Sequence, residues 1–272
     1  MAYLNLSDQY NNTYIENIIT FQKRAYHYYN EDEWFVDFYP SIGVKEGESV
    51  PFLFIGQAVG GWSTGFMTKK NLDRTSKISE SKALSNRYCY EKDHSPLDWV
   101  NVSWTKSLLN GHMSDPVMKK HYEYLTQNFY IAQKSFFWNV AFKVVSDFHG
   151  YSRDDWDWAK KMVWSNLYKI APDSNNPNYA QMQMQQPLAS ELIKMELDEM
   201  APRYCVVLTN IDWWLPFSYH LNTEKINYNK IHFSEIKAVE KYKDTLILVT
   251  TRPRIGNGEI HAQQILSFIQ QH

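Results

Sequence analysis

An α/β fold of three layers, with helices on either side of a central four-stranded parallel sheet, is what this sequence predicts, and three observations predict it. Four short apolar runs lie at 52–56, 162–166, 204–208 and 245–250, each suited to a strand buried on both faces. Segments with helical periodicity alternate with them, as the crossovers between parallel strands require. Each run ends in turn-forming or polar residues: Gly56-Gln57, Asn166, Thr209-Asn210 and Thr250-Thr251-Arg252-Pro253-Arg254. Such endings mark the carboxyl edge of an open sheet, where α/β proteins place their ligands. No internal repeat and no linker divides the 272 residues, which read as a single domain.

Taken in order, residues 12–30 predict a helix whose stripe is Tyr14, Ile15, Ile18, Ile19, Phe21 and Tyr26. Residues 31–50 form an aromatic-rich connection, with Trp34, Phe35, Phe38 and Tyr39 expected to cover the sheet. The first strand stops at Gly56, with Gln57 and the turn-prone Gly60 and Gly61 beyond it. A dinucleotide fingerprint needs its three glycines at fixed spacing opening a helix, and these glycines do not supply it. Residues 69–82 are polar, and Lys69, Lys70, Arg74, Lys77 and Lys82 outnumber the acids there. Two readings of that stretch stand side by side, a mobile loop and an arm that touches phosphate. Residues 97–125 continue as polar, aromatic-dotted helix or loop. The stretch 129–148 is strongly helical through Phe136, Phe137, Val140, Val144 and Val145, and 154–161 is a linker or helical turn. After the second strand, residues from 172 form a loop, and 188–200 an amphipathic helix stopped by Pro202 and Arg203. The third and fourth strands and a C-terminal helix at 260–269 complete the chain.

Composition narrows the function classes. The chain carries 28 Lys+Arg against 30 Asp+Glu, a formal charge of −2, so nucleic-acid binding has to come from a local patch rather than a global basic field. Its 10 Trp, 19 Tyr and 14 Phe supply core volume and also platforms on which a flat ligand can stack. Cys89 and Cys205 are too few for a disulfide framework or a four-thiolate metal site, and no cofactor is expected. The start has no signal-peptide pattern and no apolar run spans a bilayer, so a cytoplasmic protein without membrane contact is expected.

The strand ends suit recognition of a nucleobase. An Asn amide such as that of Asn166 offers one acceptor and two donors, a match for the adjacent N–H and C=O of a pyrimidine edge. Backbone N–H groups in the Gly56 turn can hold an O2-type exocyclic oxygen, and Trp62 or Phe66 can stack on the ring face.

Read in order, the motifs resemble the uracil-DNA glycosylase superfamily, and most closely its bacterial and archaeal branch that opens with Gly-Glu-Ala-Pro-Gly. Ile55-Gly56-Gln57-Ala58-Val59-Gly60 is similar to that first motif. Val163-Trp164-Ser165-Asn166, followed by Lys169 and Pro172, is similar to the strand ending in Thr-Asn with its later Lys and Pro. Residues 192–208, through Glu196 and Pro202-Arg203-Tyr204-Cys205-Val206-Val207, resemble the next helix and strand. Leu248-Val249-Thr250-Thr251-Arg252-Pro253-Arg254 takes the place of the final His-Pro-Ser motif. The resemblance implies a uracil-DNA glycosylase-like domain over 1–272, with an N-terminal helical extension over about 1–50 and an insertion over about 67–125. It implies that Gly56 and Asn166 hold a flipped base, that Phe66 stacks on it, and that Gln57 and Arg252 serve catalysis. Arg254 would then contact DNA, and the partner would be DNA or a uracil-like base.

The chain departs from that pattern where chemistry is most demanding. Arg252 replaces the motif His, Val59 stands where a Pro is typical, and no carboxylate in the turn orients water. Thiolates for the branch's iron–sulfur cluster are absent. His261 lies beyond the last motif and reads as an ordinary surface or cap histidine. Three readings of function follow: a glycosylase acting on a modified base in DNA, a non-catalytic relative that binds nucleic acid, a free base or a protein, and a nucleotide-binding or hydrolytic α/β enzyme. The third lacks a phosphate-binding Gly-Lys-Ser/Thr loop, a nucleophile elbow and a dense metal-ligand cluster.

Overall fold

Ser7 opens the first helix of the computed structural model, which describes residues 2–58, 64–86, 95–98, 100, 135–152, 155, 157–229, 231–254 and 256–271. The Ser7 side chain accepts from the Tyr10 N–H, so α1 (Asp8–Tyr29) starts before residue 12. Strands β1 (Trp34–Asp37) and β2 (Ser41–Ile42) lie within the expected connection, followed by β3 (Phe52–Gly56) and β4 (Gly65–Met67). Helix α2 (Arg74–Ser85) is capped by Asp73 and takes up most of the basic stretch. Helix α3 (Phe136–His149) runs from a Ser135 cap to Gly150 at φ 72°. A 3-10 turn (Asp157–Lys161) leads into β5 (Met162–Asn166) and β6 (Ile170–Pro172). Helix α4 (Tyr179–Met200) begins at a capping box formed by Asn178 and Gln181 and runs through Pro187, well ahead of the expected start at 188. The chain ends with β7 (Tyr204–Val207), α5 (Ile211–Leu221), β8 (Glu224–Lys225), β9 (Ile236–Tyr242), β10 (Thr245–Thr250) and α6 (Gly258–Gln271).

The four expected strands pair with one another in the order β5-β3-β7-β10, and all three contacts are parallel. The sheet they form is larger than four strands and mixed. It has seven strands, because β2 adds antiparallel to β5 at one edge and the β9–β10 hairpin carries β8 at the other. A second sheet, β4-β1-β6, is antiparallel and three-stranded. Alternate residues of each central strand enter different cores, as the pleat dictates. Leu53, Ile55, Val163, Cys205, Val207 and Val249 pack with α1, α4 and α5, while Phe52, Phe54, Trp164, Tyr204, Val206 and Leu248 pack with α3 and α6.

The N-terminal segment is part of this core rather than an appendage. Tyr10, Tyr14, Ile18 and Phe21 of α1 are fully buried, and β1 supplies the middle strand of the second sheet. Asp37 of β1 forms a buried ion pair with Lys77 of α2 and accepts from Tyr14 Oη at 2.7 Å and Ser81 Oγ at 2.5 Å. Neither reading of residues 69–82 as a free segment therefore holds for Lys77. Arg74 pairs with Glu16, Lys69 lies over the Tyr26 ring and Lys82 over the Tyr39 ring. Among the described residues no helix is long and apolar enough to cross a membrane.

Candidate functional site

Register places Gly56, the last residue of β3, directly beside Asn166, the last residue of β5. Asn166 is only 2 % exposed, and its Nδ2 has no hydrogen-bond partner among the described residues. Buried amide donors in folded proteins are nearly always paired, so a donor left over at a strand end is a group suited to a ligand. A Cβ on Gly56 would lie 2.5 Å from Asn166 Oδ1 and 3.6 Å from the Phe137 ring. The missing side chain at Gly56 is what lets an amide and an aromatic ring close on the same point.

Phe137 is the residue that sequence reasoning misses here. It is the second residue of α3 and half-buried, with its ring edge-on to Trp138 at 5.2 Å and tilted against Trp164 at 6.3 Å. Nothing in the sequence singles it out, because it stands at helical spacing with the buried Val140, Ala141 and Val144 and reads as one more residue of that stripe. Phe66, expected to stack on the base, is 2 % exposed in β4 and lies between Phe21 and Phe35, with ring centroids 6.2 Å from each. Its faces belong to the core, which corrects the assignment. Trp62, with the rest of residues 59–63, lies outside the described residues.

Gln57 reaches the site but is tied into the scaffold. Its Nε2 donates to the Thr209 carbonyl at 3.2 Å, and its Oε1 accepts from Asn176 Nδ2 at 2.9 Å. The Gly56 and Gln57 carbonyls accept from the Leu167 and Tyr168 N–H groups. The connections leave β3 in one direction toward β5 and return past it to β7, so the crevice between β3 and β7 is where the topology reverses and where open sheets bind ligands. Gln57 bridges that crevice. An amide holds no proton-accepting site of useful basicity, so the side chain orients and does not act as a base. Asn210, next along the same edge, has φ 85° and ψ 156°, a region almost reserved for glycine, and its N–H donates to the Thr250 carbonyl at 2.9 Å.

Arg252 and Arg254 follow β10 with exposed side chains. β10 lies two strands from β3, which puts its end roughly 10 Å from the end of β3 by ladder spacing. Glu235 ties the loop at both ends: its carboxylate accepts from Thr251 Oγ1 and from Asn257 Nδ2 at 2.6 Å, and its carbonyl accepts from the Thr251 N–H. Although burial opposes it, these hydrogen bonds and the nearby charges of His261 and Arg254 hold the Glu235 carboxyl below its usual range. His261 is neither a surface nor a cap histidine. It is fully buried on α6, neither ring nitrogen has a hydrogen-bond partner among the described residues, and Nδ1 stands 4.0 Å from Glu235 Oε2. Burial pushes its pKa down to about 4, against a smaller opposing pull from Glu235.

The structure thus brings Gly56, Gln57 and Asn166 together, adds Phe137, and keeps Arg252 and Arg254 on the same edge but farther along it. Among the described residues no cluster of three or more His, Cys, Asp or Glu side chains is arranged to hold a metal ion. Neither protein-family models nor curated proteins give a match to this chain.

Proposed function

We propose that the chain is a uracil-DNA glycosylase-like protein that takes a uracil-type base into the carboxyl-edge site and cleaves the N-glycosidic bond joining it to DNA. The observation that carries this reading is the buried, partnerless Asn166 amide beside the side-chain-free Gly56 and the Phe137 ring. In it the amide donates to an exocyclic oxygen of the base, the ring offers a stacking face, and a base must leave its stack to be held in that way. Water adds to the sugar carbon as the glycosidic bond breaks, the electron pair leaves with the base as an anion, and the proton that the water sheds passes to solvent. Arg252, always cationic, supplies charge for that anion or for a flanking phosphate, and Arg254 supplies phosphate contact. Four parallel strands in the order β5-β3-β7-β10 with helices packed on both faces support the three-layer α/β/α architecture that the resemblance implies.

A specific observation favours a second reading, a relative of the same fold that binds a base or nucleic acid without cleaving it. Both ends of the Gln57 amide are committed to Thr209 and Asn176, and none of the residues placed at the site is a carboxylate able to activate water. Incubation with single-stranded DNA carrying one uracil separates the two. Appearance of alkali-labile abasic sites supports the glycosylase, and affinity for uracil without abasic sites supports the binder. Neither cleavage nor affinity would overturn both.

A further inference from the structure

Beneath the site lies a buried charge network that no step above uses. Lys169 and Glu196 are both fully buried, and Lys169 Nζ lies 2.6 Å from Glu196 Oε1. The same ammonium donates to Ser165 Oγ at 2.6 Å and to the Asn166 backbone carbonyl at 2.7 Å. Glu196 also accepts from Tyr10 Oη and Ser165 Oγ, each at 2.6 Å. All three protons of the ammonium therefore have acceptors, and both carboxylate oxygens have donors. Taking two charges out of water is costly, and an apolar pair of similar volume commonly stabilises a core as well or better. Such a pair does have one property that apolar side chains lack, which is direction. It points a charge-assisted hydrogen bond at one chosen backbone atom, and here that atom belongs to Asn166.

We propose that the Lys169–Glu196 pair is the positioning device of the site, fixing the Asn166 peptide so that its side-chain amide stays aimed at the ligand. This rests on the reading of Asn166 as the residue that recognises a base. Asn166 is clamped at its carbonyl by a buried ammonium and left without a partner at Nδ2, so the fixed end and the unpartnered end belong to one residue. Tyr10 on α1 and Glu196 on α4 extend the clamp into both neighbouring helices, so the position of the amide is set by the packed core rather than by a loop.

The test is a double-mutant cycle on the full chain with free uracil as the probe. Lys169→Met/Glu196→Gln removes both charges together, so that neither is left buried without its counter-charge. Uracil affinity is expected to fall about tenfold in this variant, and by less than about twofold when the same changes are made on Asn166→Ala. An equal loss in both backgrounds, or a loss in neither, overturns the proposal. If the double variant gives no cooperative melt, Ser165→Ala removes one acceptor without leaving a charge and is read in the same cycle, with a loss of about threefold expected only when Asn166 is present. If the wild type binds no uracil, the functional reading fails and the positioning claim is read without ligand. The Asn166 side-chain amide signal, located by its disappearance in Asn166→Asp, should then be sharp in the wild type and broadened in the variant, and an unchanged signal overturns the proposal.

Discussion

Gly56 and Asn166 end adjacent parallel strands in register, and the space a methyl group would take on Gly56 is already held by Asn166 Oδ1, 2.5 Å from the ideal Cβ position. Gly56→Ala therefore acts on the amide before it acts on the fold. The clash falls on the end of a side chain rather than on backbone, so the loss of stability should sit near the low end for overpacking, about 1 kcal/mol. Displacing the partnerless Asn166 Nδ2 should weaken uracil binding more than this, by tenfold or more. Urea unfolding and uracil titration on the same preparation check the pair of numbers. A large stability loss with unchanged affinity would show that the glycine serves packing alone.

The two phenylalanines make a second comparison. Phe66 lies in the core between Phe21 and Phe35, so Phe66→Ala should cost about 3–5 kcal/mol of stability. Phe137 is half-buried at the start of α3, and Phe137→Ala should cost clearly less stability while removing a stacking face worth about 1–3 kcal/mol of base affinity. Thermal unfolding and uracil titration of both variants test the exchange of roles. Equal affinities for Phe137→Ala and wild type would remove Phe137 from the site.

Much of this fold is legible in the sequence because the central strands are buried on both faces. Residues 52–55 and 246–249 are continuous apolar runs, which only a doubly covered strand tolerates. β9 escapes notice because Lys237, Glu240 and Lys241 interrupt its pattern, although Glu240 is buried and accepts from Trp214 Nε1 at 2.8 Å. Within the site, Gly56 and Asn166 can be found from strand endings, since both close apolar runs. Phe137 cannot, because it meets Gly56 only after the chain has passed through the long stretch between β3 and α3. Phe66 misleads for the converse reason. It follows the Gly56 turn closely in sequence, yet β4 turns back to pair with β1 and carries the ring into the core.

His261 predicts a pH dependence of stability. Its folded pKa, about 4, lies below the usual 6.5, so the unfolded chain binds more protons than the native protein between those values. The corresponding stability is present in full above pH 6.5 and is lost as the pH falls toward 4, with a slope of up to about 1.4 kcal/mol per pH unit. Glu235, whose pKa is lowered, adds stability that is present above the ordinary carboxylate range and is lost as the pH falls through its own depressed value. The two effects share a sign but begin at different pH. His261→Leu should abolish the upper part of the slope. Its stability at pH 7 should change little, because the native ring makes no hydrogen bond among the described residues. Urea midpoints of both proteins from pH 7 to pH 4 decide it, and parallel curves would remove His261 as the cause.

Arg252 separates the enzyme from the binder. It is exposed on a loop whose two ends, Thr251 and Asn257, are held by Glu235, and the strand it follows lies about two ladder spacings, roughly 10 Å, from β3 in the same sheet. That separation suits a cation that faces either the departing base or a phosphate next to it. If Arg252 stabilises the anion of the leaving base, Arg252→Ala should lower the rate of uracil release on the order of 10²-fold or more while uracil-bearing DNA binds nearly as well as before. If it contacts only phosphate, the same change should weaken binding and reduce the salt dependence by about one ion, with any cleavage at saturating DNA preserved. Glu235→Ala, which removes both side-chain ties of the loop and keeps the backbone one, should reproduce the Arg252→Ala phenotype in weaker form, whereas Glu235→Gln should retain more of the wild-type behaviour because it can still accept from Asn257. Single-turnover cleavage and salt titrations on single-stranded uracil DNA measure both quantities. Wild-type DNA affinity, salt slope and cleavage in Arg252→Ala would remove the loop from the site altogether.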